Sequence, residues 1–410
     1  MFQRRRSLTS WLWVGPALLI LAGYLVYPVI VTVYESLMNS SLSRFVGLDN
    51  YIWAFTTESP LLALRNNLFW IIVGTTATVG FGLVFAVLAD RVRFESAAKA
   101  AIFMPMAISF VGAGVIWKFM YDWQPPGIPQ IGLLNAMLST IGGWAAANHV
   151  VLLWIGAIAG VLALVTFLIA LVRVRTFLLS ALAIIVFPLA ILGVGWLASA
   201  VQAVSEITPS DLALLVVVIQ LVLALAAVVS FIYAMMHDTW GQVSIVGAVI
   251  AALCLGLLYL ASFQPVTWLQ NETTNNWALV AVYVWIWTGF CLVVLSAALK
   301  GVDAEILEAS RVDGANEFQV FAQVLVPMIS TTILVVATTM IINILKVFDV
   351  VYVMTSGNFN TDVIANALYF QAFHFEDFGR GAALAVILLA AVVPVMLFNI
   401  RRFREEEGMR

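Results

Sequence analysis

Glu308-Ala309-Ser310-Arg311-Val312-Asp313-Gly314-Ala315 lies inside a polar, helix-forming and turn-containing stretch, Val302 to Pro327. Strongly apolar runs flank it at 277–299 and 328–347. A polar segment between two runs long enough to cross a bilayer reads as a loop on one side of a membrane. The chain around it agrees. Of 410 residues, 63% are hydrophobic and only 10% charged, the balance of a polytopic membrane protein. A helix needs about 20 mainly apolar residues to cross the hydrocarbon core. Ten such runs are read, at 11–34, 67–90, 100–121, 150–172, 176–201, 212–236, 243–263, 277–299, 328–347 and 381–400. The fold class expected is all-α, a multi-pass membrane protein.

Charge places the loop. Arg4, Arg5, Arg6, Arg91, Arg93, Lys99, Arg173, Arg175, Lys300, Arg311, Arg401, Arg402, Arg404 and Arg410 fall at alternate span ends, and they are 14 of the 19 Lys and Arg. Basic loops stay cytoplasmic, so both termini and the 301–327 loop are expected on the cytoplasmic side. The Arg-rich start resembles a signal peptide. Its apolar run is too long and lacks a small-residue cleavage site, so a retained first span is expected.

Within the loop, Asp303 suits the cap of one short helix and Asn316 that of a second, with Gln319 three residues on as in a capping box. Gly314 between them suits the left-handed turn that ends a helix. Phe318, Phe321, Ala322 and Leu325 recur at helical spacing. The expectation is helix–turn–helix near the membrane surface, with Glu308 and Arg311 on the polar side. By itself, that also describes an ordinary interfacial loop.

The stretch from Glu308-Ala309-Ser310 through Asp313-Gly314-Ala315 to Leu325-Val326-Pro327 resembles the EAA motif of binding-protein-dependent ABC importer permeases. Ser310 stands where the family has a second Ala, and Val326 where it has Leu before Pro327. Gly132-Leu133-Leu134-Asn135, Trp285 to Leu299, and Phe348-Asp349 with Tyr352, Met354 and Thr355 resemble sugar-permease sequence. Gly357-Asn358-Phe359-Asn360-Thr361 and Asn399-Ile400-Arg401-Arg402-Phe403-Arg404-Glu405 resemble the α-glucoside permeases of the maltose-type group. The resemblance implies a six-span type I ABC importer core. It implies a coupling helix that docks on an ATPase subunit through Glu308, Ala309, Asp313 and Gly314, with Pro327 opening the next span. It also implies a heterodimer with a second permease, two copies of a cytoplasmic ATPase, an extracytoplasmic solute-binding protein and a carbohydrate substrate.

Between Gly143 and Val266 lies a block that the family usually lacks, and its flanks read as if joined. The organisation expected is 1–143 as the first part of the core, 144–265 as an inserted block of about four transmembrane helices, and 266–410 as the rest of the core with the coupling loop 301–327. The even number matters. Three or five crossings would carry Glu308 to the side without ATP. The leading view of the block is a helix bundle packed outside the transport core, in contact with lipid.

Polar groups within spans are candidate pathway residues, because they are costly unless they face a cavity or partner. Asn343, Lys346 and Asp349, at i, i+3 and i+6 on the span after the loop, share a broad helical face, and Lys346 and Asp349 can pair. Lys346 can equally snorkel to the interface. Tyr283 and Trp287, four apart, offer the flat apolar faces and hydrogen-bonding edges that suit a pyranose. They also suit plain aromatic packing. Tyr352 stands at the outer end of the following span.

No Lys follows a Gly, so the phosphate loop Gly-x-x-x-x-Gly-Lys-Ser/Thr is absent. No zinc-protease or nucleophile-elbow motif occurs. Cys254 and Cys291 sit in apolar runs, and the three histidines are scattered. No catalytic residue, cofactor, metal or nucleic-acid partner is therefore expected for this chain; ATP and Mg belong on partner subunits. The alternatives are a secondary sugar transporter and an accessory assembly subunit. The near absence of Asp and Glu from span interiors counts against the first.

Overall fold

The computed structural model describes residues 13–408 apart from 91, 126, 157, 161–249, 251–252, 255, 258–259, 261–262 and 317–318, with side chains as far as 397. The expected spans at 176–201 and 212–236, and parts of those at 150–172 and 243–263, lie outside the described residues, as does Phe318.

Among the described residues the chain is helical, with one isolated bridge, Met38 to Phe45. In order come α1 (Trp13–Glu35), α2 (Asp49–Thr56), α3 (Glu58–Ala89), α4 (Glu95–Ala107), α5 (Phe110–Met120), α6 (Leu133–Ala147), α7 (Asn275–Lys300), α8 (Ala304–Val312), α9 (Ser330–Leu345), α10 (Asp349–Met354), α11 (Ile364–Tyr369) and α12 (Phe378–Gly408). Four of the described helices are long and apolar enough to cross a membrane: α1, α3, α7 and Phe378–Leu397 of α12. Three bent helix pairs raise the number to seven if each is one span.

The chain divides into two compact units: Met1–Phe119 with Trp268–Asp303 and Leu325–Arg410, and Met120–Thr267 with Ala304–Val324. In the first, α7 is the central post. Leu279, Val282, Leu292 and Leu295 are fully buried on it. Cys291 and Leu295 pack with Val79 and Ala86 of α3 and Val336 and Met340 of α9. Small residues permit this closeness, since lipid tails give no hydrophobic drive between helices and close packing must supply the attraction. A Cβ on Gly82 would stand 2.4 Å from that of Cys291, and one on Gly289 would stand 2.6 Å from the backbone of Ile102 and Phe103. A second cluster joins Ala54, Ala63, Ile364, Ala367 and Leu384. By contrast α1 buries none of its apolar window within this chain.

The single span expected over 100–121 is instead two helices meeting at 98°. Pro105 opens a 3-10 turn, Met104–Ala107, and Ile108 is extended, which ends the helical hydrogen bonding. The ends of α3, α4 and α7 are pinned by charge. Lys99 Nζ reaches Asp90 Oδ1 at 2.5 Å and Glu95 Oε1 at 2.6 Å, and also bonds Ser296. Ser296 donates to Asp90 at 2.9 Å, and Lys300 pairs with Glu95.

In the second unit, Asn135 donates to the carbonyls of Asp122 (2.9 Å) and Val266 (3.0 Å), and its Oδ1 accepts from Val266 N at 3.1 Å. Trp123 Nε1 donates to Pro265 O at 3.2 Å. The two flanks that read as joined in sequence are tied by hydrogen bonds, and the chain between them starts and ends at one neck. Ala145, Leu152 and Cys254 pack together beyond it.

Candidate functional site

The loop takes the conformation its local chemistry dictates. Helix α8 begins directly after Asp303 and ends in a Schellman motif. Ala315 N donates to Ser310 O and Gly314 N to Arg311 O, both at 3.1 Å, with Gly314 at φ +89°. Asn316 and Gln319 then cap each other. Gln319 N donates to Asn316 Oδ1 and Asn316 N to Gln319 Oε1, both at 2.9 Å. The expected second helix is present from Gln319 in the described residues; most of it, Val320–Leu325, is π-helical, followed by Val326–Met328. Glu308, Ala309 and Asp313 are exposed, and so are Ile306 and Val312, the latter at 87%. A nine-residue helix, fixed at its C-terminal end, thus presents apolar side chains to its surroundings.

The pathway candidates fall into separate groups. Tyr283 is buried on α7, with its ring 6.1 Å from that of Trp287. Phe110 stacks on Trp287 at 5.9 Å. Trp70 of α3, which the sequence does not single out, meets Tyr283 edge-on at 5.8 Å. Only packing shows that its indole belongs with the other two. Asn343 donates to Thr339 O, one turn back on α9. The helix then stops. Lys346 is its exposed C-cap, and a new helix starts at Asp349. The shared face expected for Asn343, Lys346 and Asp349 is therefore broken, and Lys346 and Asp349 form no ion pair. The reason is the chain's departure from helical geometry at 346–348, where Phe348 has φ −139°. Tyr352 joins a different aromatic group, 5.1 Å from Phe348 and 5.3 Å from Tyr369.

After α10 the backbone turns through left-handed residues Ser356, Gly357, Phe359 and Asn360. Such strain persists only where neighbours impose it. Asn66 donates to the carbonyls of Asn360 and Asp362, and Asn275 to that of Phe359. Asp362 Oδ1 accepts from Val363 N and Asn366 Nδ2, yet burial still pushes its carboxyl up to about 6. A carboxyl with a raised folded pKa favours the protonated form. Its contribution is therefore full below the unfolded value and is lost as pH rises through about 6. Thermal melts of the detergent-purified protein should show stability falling between about pH 4 and pH 6, by on the order of 3 kcal/mol. Asp362→Asn should flatten that slope. An equally steep slope in the variant would exclude Asp362 as its source.

A family model described as "Binding-protein-dependent transport system inner membrane component" matches residues 153–403. This chain belongs to that family. Two curated relatives span it almost end to end. The osmoprotective compounds uptake permease protein GgtC of Synechocystis is 37% identical over 97% of this chain and 100% of its own. The alpha-glucoside transport system permease protein AglF of Rhizobium meliloti is 33% identical over 98% of this chain and 84% of its own. A bacterial alginate ABC transporter, solved with an alginate-bound periplasmic protein, matches at TM-score 0.57 and 14% identity over 96% of this chain and 93% of that one. That likeness establishes the fold. This permease is thus a multi-pass inner-membrane subunit of an ABC importer, and ATP hydrolysis belongs to separate subunits.

Proposed function

We propose that this permease imports a neutral carbohydrate, an α-glucoside or a related small polyhydroxylated solute, and that α8 is its coupling helix. The observation that carries the coupling reading is α8 itself. It is capped at its C-terminus by Gly314, flanked by a reciprocal Asn316–Gln319 cap, and exposes Ile306, Ala309 and Val312 beside Glu308. An apolar stripe on a short rigid helix fits a groove on another protein. The printed names of GgtC and AglF supply the substrate class. A second permease is the natural cover for α1, which buries nothing in its own chain. Two ATPase copies and a solute-binding protein complete the assembly, with both termini and α8 cytoplasmic as the basic residues require.

The cycle follows from these parts. ATP closes the ATPase pair, and α8 moves with the groove that holds it. Because α8 is joined to α7 through Gly301–Asp303, and through the π segment to α9, its motion displaces the spans. The cavity opens outward, accepts sugar from the binding protein and resets on hydrolysis. The coupling needs one element with two arrangements biased by both sites, and α8 with its attached spans is that element. Tyr283 and Trp287, with Asn343, Lys346, Asp349 and Tyr352 nearer the helix ends, supply the sugar contacts.

Purification through a tag on this chain should bring down an ATPase and a second permease, and the reconstituted complex should import a labelled α-glucoside in an ATP- and binding-protein-dependent manner. A chain that transports alone would overturn the reading in favour of a secondary carrier. Trp287→Ala and Lys346→Ala should each cut uptake by roughly tenfold or more with assembly intact, the scale of losing an aromatic or charged contact. Unchanged uptake kinetics would remove that residue from the pathway.

A further inference from the structure

Of the buried polar atoms in the first unit that lack a hydrogen-bond partner, three belong to one run of touching rings: Trp70 Nε1, Tyr283 Oη and Trp287 Nε1. Buried polar groups are almost always paired, and each exception calls for an explanation. Within a membrane span the cost of leaving them so is higher still. Three exceptions in contiguous side chains, on two different helices, point to a shared cause.

The backbone at Trp70 supplies a second observation. A π-helical segment, Trp70–Gly74, interrupts α3 at this residue. A π turn holds an extra residue, and such turns concentrate at functional positions. The wider turn puts Trp70 and Thr75, five residues apart, both on the buried side of α3, and Thr75 Oγ1 is likewise buried without a partner. The helix departs from regular geometry where it presents polar atoms to the interior.

The chemistry of the row is specific. Two indoles can only donate, and a phenol can donate or accept. The three side chains carry no formal charge. Such a row suits a neutral ligand with several hydroxyl acceptors and apolar C–H faces, and offers no counter-charge to an acidic sugar. The geometry points to Trp70 as a further substrate-binding residue, one that donates its indole N–H to a sugar hydroxyl beside Tyr283 and Trp287 and so helps to choose which hydroxylation pattern passes. This rests on the carbohydrate reading above, and it assigns a role to a helix, α3, outside the expected pathway residues.

The test uses the complete reconstituted transporter with its binding protein, the parent α-glucoside, and a panel of its singly deoxygenated analogues. Trp70→Phe keeps a single aromatic ring and removes the indole N–H. Uptake per ATP hydrolysed should fall by about tenfold, the upper scale for one neutral hydrogen bond, while binding-protein-stimulated ATP hydrolysis stays near wild type. The variant should also stop discriminating against one analogue, the one lacking the hydroxyl that Trp70 serves, and against no other. A merely structural Trp70 would lower assembly and ATP hydrolysis together and leave the discrimination pattern whole; that result overturns the inference, as does wild-type behaviour in W70F. Should W70F fail to assemble, Tyr283→Phe on the same panel decides, because a shared row predicts loss of one hydroxyl preference there too, and an unaltered pattern refutes it. A wild-type transporter that moves no glucoside sinks the carbohydrate reading and this inference with it, whereas glucoside uptake with an unaltered W70F sinks this inference alone.

Discussion

Glu308→Lys combined with Gly314→Pro is expected to abolish uptake by the assembled transporter and its binding-protein-stimulated ATP hydrolysis. The two changes strike different properties of α8. Glu308 is exposed, so reversing its charge leaves the chain's own packing alone and alters only what it offers a partner. Opposed charges at an interface cost several kcal/mol when made alike. Gly314 holds φ at +89°, whereas proline locks φ near −65° and removes the N–H that Arg311 O accepts. The turn must then open, and α8 loses its fixed direction. The measurement is transport and ATP hydrolysis in proteoliposomes, with subunit stoichiometry checked on the same sample. Retention of both activities in the double variant would remove α8 from the coupling path.

The second large effect lies in the bundle. Gly289→Val should prevent α7 from seating on α4 and leave little assembled protein in the membrane. A Cβ at 289 would lie 2.6 Å from backbone atoms of Ile102 and Phe103, and backbone cannot swing aside as a side-chain tip can. Overpacking of this kind costs about 1–3 kcal/mol in forgiving cores and more where backbone must move. Gly80→Val is the matched control. Gly80 is on α3 with nothing within 4 Å of its would-be Cβ, so its variant should assemble normally. Equal yields of the two variants would show that close approach at Gly289 does not hold the bundle.

These two predictions differ in how far sequence alone reaches them. The C-terminal end of α8 and the start of the segment after it were readable because caps are local. Gly314 and the Asn316–Gln319 pair act on backbone a few residues away, and the structure contains the Schellman turn and both capping bonds. The neck around Asn135 and Val266 was foreshadowed by flanks that read as continuous. Breaks within apolar runs were not readable. Pro105 bends 100–121 into two helices and α9 stops at Leu345, but hydropathy averages over both. Grouping the pathway residues by helical phase failed for the same reason, because the phase is reset between Lys346 and Asp349. Trp70 was invisible for another reason. In a list of residues it is one more aromatic in an apolar run. Only tertiary packing places it against Tyr283 and leaves its N–H unanswered.

The neck carries a consequence for how such chains vary. Asn135 closes the backbone at Val266 with bonds in both directions, so strands of chain enter and leave there side by side. Once a loop is closed at its base, each doubling of its length adds only about 0.6 kcal/mol of closure entropy. Length added beyond the neck therefore costs the clasp little. The clasp itself asks little of the sequence: an Asn on one side, and on the other a backbone amide and carbonyl that any residue except proline provides.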